Sequence, residues 1–271
     1  NPVNQIILLC ILDTIYINFS ILPFKKLMLE NYLVLIYLCL IVSLQSSIGI
    51  GVLVLGTPFL LLLQYNMVEI FFILLPLSIL TSLINLMIIR LTHKNLKMHT
   101  SKRLIKFFFL FIPSIIIGLF LLKYLEEFIN FKLLVSIVII VSVLLILIKD
   151  KIKLKINFFR KSVLCIIGII HGLTNSGGTL MSLSLSIDKK KDYARYSITF
   201  FYLLLASFQY LLTIIIFHKL YFLPQNIYLG LALIIGVFLG NIFIKFLSEN
   251  SYKILINILA LISAIMLLFN N

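Results

Sequence analysis

Two glycine-marked breaks inside apolar segments decide the fold of this chain. The first reads Gln45-Ser46-Ser47-Ile48-Gly49-Ile50-Gly51, and the second reads His171-Gly172-Leu173-Thr174-Asn175-Ser176-Gly177-Gly178. At one constant offset of 126 residues, Gly51 matches Gly177 and Gln45 matches His171. Membrane proteins that interrupt a helix at corresponding places in two halves build a ligand site there. The breaks therefore predict a duplicated architecture and the position of a binding site.

The composition places the chain in a membrane. Of its 271 residues 62% are hydrophobic, and the mean hydropathy is +1.18. Apolar stretches of about 20 residues recur along the sequence, and a helix needs that length to cross the hydrocarbon core of a bilayer. We therefore predict an all-α integral membrane protein without a soluble domain, built from duplicated helical repeats that each open with a glycine-broken or re-entrant helix.

The order of the apolar segments predicts the domain organisation. An N-terminal apolar extension occupies residues 1–30 and is expected to add one helix rather than a cleaved signal peptide. A first membrane repeat follows at 31–149, a basic cytoplasmic connector at 150–161 and a second membrane repeat at 162–271. The two repeats contain eight apolar blocks, at 31–64, 67–89, 104–122, 132–148, 162–187, 194–217, 222–244 and 251–269.

The net charge of +14 has a topological explanation. Lysines and arginines collect in short segments between the apolar blocks, and such loops are basic where they face the cytoplasm. The basic segments are interpreted as solvated loops. The basic connector at 150–161 is expected to be attracted to anionic lipid headgroups. Membrane lipid is thus a predicted partner, and nucleic acid is not.

Charge counting separates three arrangements of the two broken blocks, which are blocks one and five. If every block crosses fully, lysine and arginine divide 15 inside to 8 outside. The division is 18 to 5 if both broken blocks return to the side they entered, and 20 to 3 if only block five does so. The positive-inside rule favours the last two, which both stay open. Most of the difference comes from four residues treated as a loop, Lys189, Lys190, Lys191 and Arg195.

Hydroxyl and amide groups surround both breaks and predict an anion site without fixed charge. Glycine lets the chain leave helical geometry, and the N–H groups at the start of a half-helix favour a small anion. For isolated Ser and Thr, packing between helices is the competing interpretation. Facing helices offer Thr81, Ser82, Asn85, Ser207 and Gln209. The predicted substrate-binding residues are Gln45, Ser46, Ser47, Gly49, Gly51, His171, Thr174, Asn175, Ser176, Gly177 and Gly178.

His171 is the ionisable residue predicted at membrane depth. An ionisable group in a membrane helix is a functional-site hypothesis by default, and histidine changes charge near neutral pH. His171 is predicted to bind the anion or to carry a coupling proton; a neutral histidine that donates to a backbone carbonyl is the open alternative. We predict no metal, no cofactor and no enzymatic activity, because the sequence has no HExxH, GxSxG or P-loop pattern.

The first break, followed by Pro58 and a leucine run, resembles the first signature of the TauE/SafE sulfite exporter family. Gly168 to Gly178 resembles the second signature, and the likeness covers about residues 31–269. The chain departs from the family pattern because two spaced glycines replace a GG run in the first break, and no proline closely follows the second. The resemblance implies a duplicated four-segment unit and export of small sulfur oxyanions or organosulfonates, such as sulfite or sulfoacetate.

The resulting expectation is a secondary transporter that exports a small anion by alternating access across a cell membrane, the prokaryotic cytoplasmic membrane. Its expected partners are the small anionic substrate and membrane lipid, and homo-oligomer formation is left open. Two alternatives also stay open. One is a non-transporting membrane scaffold or assembly subunit, and the other is a carrier for a different small solute.

Overall fold

The computed structural model describes residues 32–49, 51–93, 101–148, 160–186, 190–218 and 227–268. The extension predicted at 1–30 and most of the connector at 150–161 lie outside these ranges. Within them every regular element is an α-helix, as predicted. In chain order the helices are α1 Tyr32–Ile48, α2 Val52–Leu62, α3 Met67–Thr92, α4 Ser101–Leu125, α5 Phe131–Ile148, α6 Lys161–Thr174, α7 Gly177–Ser186, α8 Lys191–Phe217, α9 Ile227–Phe246 and α10 Glu249–Leu268.

Three stretches of the described helices are long and apolar enough to cross a membrane: Met67–Thr92, Leu104–Leu125 and Lys191–Phe217. They correspond to the second, third and sixth predicted blocks. The breaks divide the first and fifth predicted blocks into half-helices, which are α1 and α2 in the first block and α6 and α7 in the fifth. The all-α membrane class is confirmed.

The first break reverses the direction of the chain between α1 and α2. The ring of Tyr37 stacks on Phe59 with 3.7 Å between centroids, and its hydroxyl donates a 2.9 Å hydrogen bond to the Leu55 carbonyl. In a straight helix residues 37 and 59 would lie about 33 Å apart, at 1.5 Å per residue. The two half-helices therefore form a hairpin, which Gly49 turns with a φ of 87°.

The second break folds back in the same way between α6 and α7. A Cβ atom added to Gly177 would overlap the Ile167 carbonyl oxygen and lie 2.8 Å from the backbone nitrogen of His171. A Cβ added to Gly51 would meet the residues ten and six positions before it in the same manner. Each second half-helix thus begins against the backbone of the first, and only glycine permits that approach.

Each half of the chain contributes one helix to each major helix pair. α1 packs along α9 and α6 along α4, while α3 pairs with α8 and α5 with α10. Gly236 and Gly240 of α9 lie against backbone carbonyls of α1, and Gly168 and Gly172 of α6 lie against those of α4. Both pairs have the GxxxG spacing that lets membrane helices approach closely.

α8 runs parallel to α4 and antiparallel to α3. In the first half of each helix, the rings of Phe107 in α4 and Phe201 in α8 lie 5.0 Å apart. Near the C-terminal ends of the same two helices, Lys123 Nζ of α4 donates a 3.3 Å hydrogen bond to the Ile216 carbonyl of α8. By contrast, Phe72 near the start of α3 lies 6.0 Å from Tyr210 in the last third of α8.

Candidate functional site

The first break uses the amide of Gln45 to hold its own hairpin together. This buried side chain donates from Nε2 to the carbonyl and hydroxyl of Ser78, at 3.1 and 3.0 Å, and to the Ser82 hydroxyl at 3.1 Å. Its Oε1 accepts a 3.2 Å hydrogen bond from the first N–H of α2, that of Val52. An N–H group at a helix start has no partner within the helix, so the Gln45 oxygen satisfies a buried donor that would otherwise be unpaired.

A closed circuit of hydrogen bonds surrounds Ser46. Asn85 Nδ2 donates to Ser46 Oγ at 3.0 Å, and Asn241 Nδ2 donates to Asn85 Oδ1 at 2.9 Å. Arg195 Nη2 donates to Asn241 Oδ1 at 2.6 Å and to the Ser46 carbonyl, which also accepts from Nε at 2.9 Å. The circuit joins α1, α3, α8 and α9. It gives a partner to a carbonyl at the end of α1, which a broken helix inside a membrane requires.

The interpretation of Arg195 as a solvated loop charge is wrong. Arg195 lies in the second turn of α8 and is 6% exposed. The neighbouring lysines hid it, because a basic run in sequence indicates a loop. The signal that points to it is Asn241, the single amide side chain in the sequence of α9, since an amide inside a membrane helix needs a polar partner.

The remaining predicted residues of the first break have local roles. The Ser47 hydroxyl donates to the Leu44 carbonyl at 3.0 Å. Gly49 lies against α8, where an added Cβ would be 2.8 Å from the Cγ2 atom of Ile198. Gly51 lies against the backbone of α1. The first break is therefore internally satisfied at its predicted side chains.

The hydroxyls of the second break also bond the nearby backbone. Thr174 Oγ1 donates to the Ile170 carbonyl at 2.7 Å and accepts from the Ser176 N–H at 3.3 Å. The Ser176 hydroxyl donates to the Thr174 carbonyl at 3.2 Å, and the Thr179 hydroxyl donates to the Ser176 carbonyl. These bonds shape the turn, so the three hydroxyls are structural in this conformation.

Three fully buried side chains at the second break keep polar atoms without a hydrogen-bond partner among the described residues. The atoms are both ring nitrogens of His171, Oδ1 of Asn175 and Oε1 of Gln209. Gln209 lies beside His171, because its Nε2 donates a 3.2 Å hydrogen bond to the His171 carbonyl. The ring makes no hydrogen bond of ordinary geometry among the described residues, and the alternative in which a neutral His171 donates to a backbone carbonyl stays a prediction. Buried polar groups are nearly always satisfied, so this cluster marks a place for a ligand or ordered water.

The two breaks meet on α8. Asn175 Nδ2 donates a 3.0 Å hydrogen bond to the Thr57 hydroxyl of α2, which links the second break to the first hairpin. Gly49 packs on Ile198, and Gly178 packs on Tyr202 one helical turn later, where an added Cβ would lie 2.6 Å from the ring Cζ. The structure therefore brings Gly49 and Gly178 to adjacent turns of α8, whereas Gly51 and Gly177 lie inside their own hairpins. Among the described residues, the buried polar atoms without a partner belong to the second break and to α8.

An all-α fold with membrane-crossing helices and a buried, polar meeting point of two broken helices defines a class of protein. It is a multi-pass membrane protein. The family model described as "Sulfite exporter TauE/SafE" matches residues 34–267, and the chain belongs to this family of membrane transporters. The resemblance stated from the two breaks is thereby confirmed. No curated protein and no solved structure matches the chain significantly.

Proposed function

We propose that this protein is a secondary transporter that exports a small anion, such as sulfite or an organosulfonate, across the prokaryotic cytoplasmic membrane by alternating access. The observation that carries the proposal is the cluster of unpartnered polar atoms on His171, Asn175 and Gln209 at the second break. A neutral imidazole offers one N–H donor and one acceptor. Hydrogen bonds from such groups hold an oxyanion without a fixed opposite charge at membrane depth.

The proposed site offers the ligand both hydrogen-bond donors and hydrogen-bond acceptors. A half-turn of the Asn175 amide exchanges its oxygen and nitrogen, after which the Thr57 hydroxyl donates to the oxygen and an amide N–H turns to the ligand. Gln209 is fixed, because its Nε2 holds the His171 carbonyl. Its oxygen therefore accepts from the ligand or from the His171 ring. This set suits a singly charged oxyanion that carries a proton, such as hydrogensulfite. His171 then either contacts the anion directly or carries the coupling proton.

The two breaks contribute differently to the proposed site. Gln45 and Ser46 are committed to hydrogen bonds with α2, α3 and α8, so we propose that the first break supplies shape and the second supplies ligand contacts. Gly49, Gly51, Gly177 and Gly178 take part by letting the hairpins fold and meet. Thr174 and Ser176 act through the turn that presents Asn175.

The chain directions support a re-entrant arrangement of both broken blocks. Each break returns the chain along itself, as Tyr37 and Phe59 show for the first. Consecutive crossings such as α4 and α5 run in opposite directions, so a full crossing of block five would set α8 antiparallel to α4. The observed parallel pair agrees with three full crossings and one hairpin in each half. We therefore propose inverted repeats at 31–149 and 162–271.

Replacement of Asn175 by glycine separates this function from the scaffold alternative. Asn175 has a φ of 61°, where alanine would add strain of about 1–2 kcal/mol and glycine adds none. We expect Asn175→Gly to lower the initial rate of labelled sulfite uptake into proteoliposomes by about tenfold or more, because a hydrogen bond to a charged group contributes about 1.5–3 kcal/mol. The melting temperature should fall only slightly, through loss of the Thr57 contact.

Asn130→Gly is the matched control, since it removes an exposed amide that caps α5 by accepting from the Leu133 N–H at 3.2 Å. It is expected to transport at the wild-type rate. A scaffold predicts no sulfite uptake by any of the three proteins. Uptake by the Asn175→Gly protein at the wild-type rate would remove Asn175 from the site.

A further inference from the structure

Most buried hydroxyls in the described helices bond their own backbone one turn back. Thr213 donates to the Gln209 carbonyl at 2.7 Å, and Thr81 donates to the Leu77 carbonyl at the same distance. Such a bond satisfies the hydroxyl within its own helix, so the hydroxyl needs no partner on a neighbouring helix. Thr199 of α8 differs: its side chain is 1% exposed, and its Oγ1 atom has no hydrogen-bond partner among the described residues.

Thr199 sits where the two breaks meet. Its Oγ1 lies 3.6 Å from the position of a Cβ atom on Gly49, the residue that turns the first hairpin. Tyr202, which packs on Gly178 of the second break, is three residues later on the same helix. Gln209 follows seven residues after Tyr202, and spacings of three and seven keep all three side chains on one face of α8. Thr199 and Gln209 therefore lie on one face of α8, about 15 Å apart along its axis at 1.5 Å per residue, and Tyr202 with the second break lies between them.

We propose that Thr199 is a further substrate-contacting residue, whose hydroxyl donates a hydrogen bond to an oxygen of the transported oxyanion from the side of the first break. This inference rests on the proposed function. A valine has almost the same shape and would fill the position without an unpaired buried hydroxyl, so packing gives no reason for threonine here. A hydroxyl can donate to a charged oxygen and accept from a protonated one, which matches an anion that changes its protonation state.

Thr199→Val tests the inference through labelled sulfite uptake over a range of sulfite concentrations, together with the melting temperature. We expect the KM to rise by about tenfold, because a hydrogen bond to the anion is lost, and the melting temperature to stay level or rise, because an unsatisfied group is removed. Thr199→Ser keeps the hydroxyl and should stay within about threefold of the wild-type KM. The matched control is Thr213→Val on the same helix, which removes a back-bonded hydroxyl and should leave the KM unchanged.

The outcomes are distinguishable. If the wild-type protein takes up sulfite and Thr199→Val has the wild-type KM, the inference fails and the proposed function stands. An equal rise in KM for Thr213→Val would also overturn it, since a general packing effect would then explain both. If Thr199→Val does not fold, Thr199→Ala supports the same comparison with Thr213→Ala. Absence of uptake by folded wild-type protein would overturn the proposed function and this inference together.

Discussion

Gly177→Ala is expected to abolish the folded protein. The new Cβ atom would overlap the Ile167 carbonyl oxygen and lie 2.8 Å from the backbone nitrogen of His171. Both are backbone atoms of the opposing half-helix, so no side-chain rotation relieves the overlap, and the hairpin has to open. We expect a loss of more than about 3 kcal/mol of stability, seen as loss of the monodisperse peak in size-exclusion chromatography of the detergent-extracted protein.

Gly230→Ala is the matched control for this change. Gly230 lies in α9, and a Cβ added there meets no atom within 4 Å. The control should fold normally and gain about 0.5–1 kcal/mol from the better helix propensity of alanine. Gly51→Ala should behave like Gly177→Ala, because it makes the matching approach in the first hairpin. A monodisperse Gly177→Ala protein with wild-type stability would contradict the hairpin at the second break.

Arg195→Met is expected to give the second largest effect. The substitution leaves the buried Ser46 carbonyl and the partly buried Asn241 Oδ1 without their guanidinium donors. Each buried acceptor without a partner costs about 1–3 kcal/mol, so we expect a loss of roughly 2–5 kcal/mol and a clearly lower melting temperature. Because Arg195 connects α8 to the end of α1, sulfite uptake should fall as well.

Two further variants separate charge from geometry at this position. Lys190→Met removes an exposed positive charge five residues earlier and should leave the melting temperature unchanged. Arg195→Lys keeps the charge but loses the planar fork that reaches two acceptors at once, so its melting temperature should lie between those of Arg195→Met and the wild type. A melting temperature of Arg195→Met equal to the wild type would show that the circuit around Ser46 adds no stability.

Local sequence patterns predicted the membrane class and the two breaks, because glycine spacing and hydropathy are properties of short segments. They could not predict that the side chains of the first break hold the fold together while those of the second break keep polar atoms without partners. Gln45 and His171 occupy matching positions, yet Gln45 is saturated by Ser78 and Ser82, which lie more than 30 residues away in sequence. Only the packing of α3 against α1 shows that the Gln45 amide has partners, whereas both ring nitrogens of His171 have none among the described residues.

The residues missed by sequence reasoning lie on α8. Arg195 was hidden by adjacent lysines, and Thr199 is one hydroxyl among many in apolar segments. Both residues were overlooked because their roles depend on neighbours elsewhere in the chain. Arg195 bonds Ser46 and Asn241, and Thr199 lies beside the turn at Gly49. Such partners depend on which helices meet, and no spacing within α8 encodes that. Gln209, by contrast, was identified from its polarity within an apolar block, and it does lie beside His171.

The proposed site is closed in this conformation. His171, Asn175 and Gln209 have no exposed surface, so transport by alternating access requires the hairpins to separate from α8 first on one side and then on the other. Gly49 packs closely on Ile198 and Gly178 packs closely on Tyr202, so a separation of the hairpins from α8 has to open both contacts. Changes in access to the second break during transport are therefore expected to involve α8.

Counterflow of labelled sulfite in proteoliposomes tests the central claim most directly. Vesicles containing the purified protein are loaded with unlabelled sulfite and diluted into a trace of labelled sulfite, so that exchange through one binding site drives the label inward. The account predicts transient accumulation of label above its equilibrium level, absent from protein-free vesicles and strongly reduced with Asn175→Gly. Folded wild-type protein that accumulates neither labelled sulfite nor any small labelled sulfonate would contradict it.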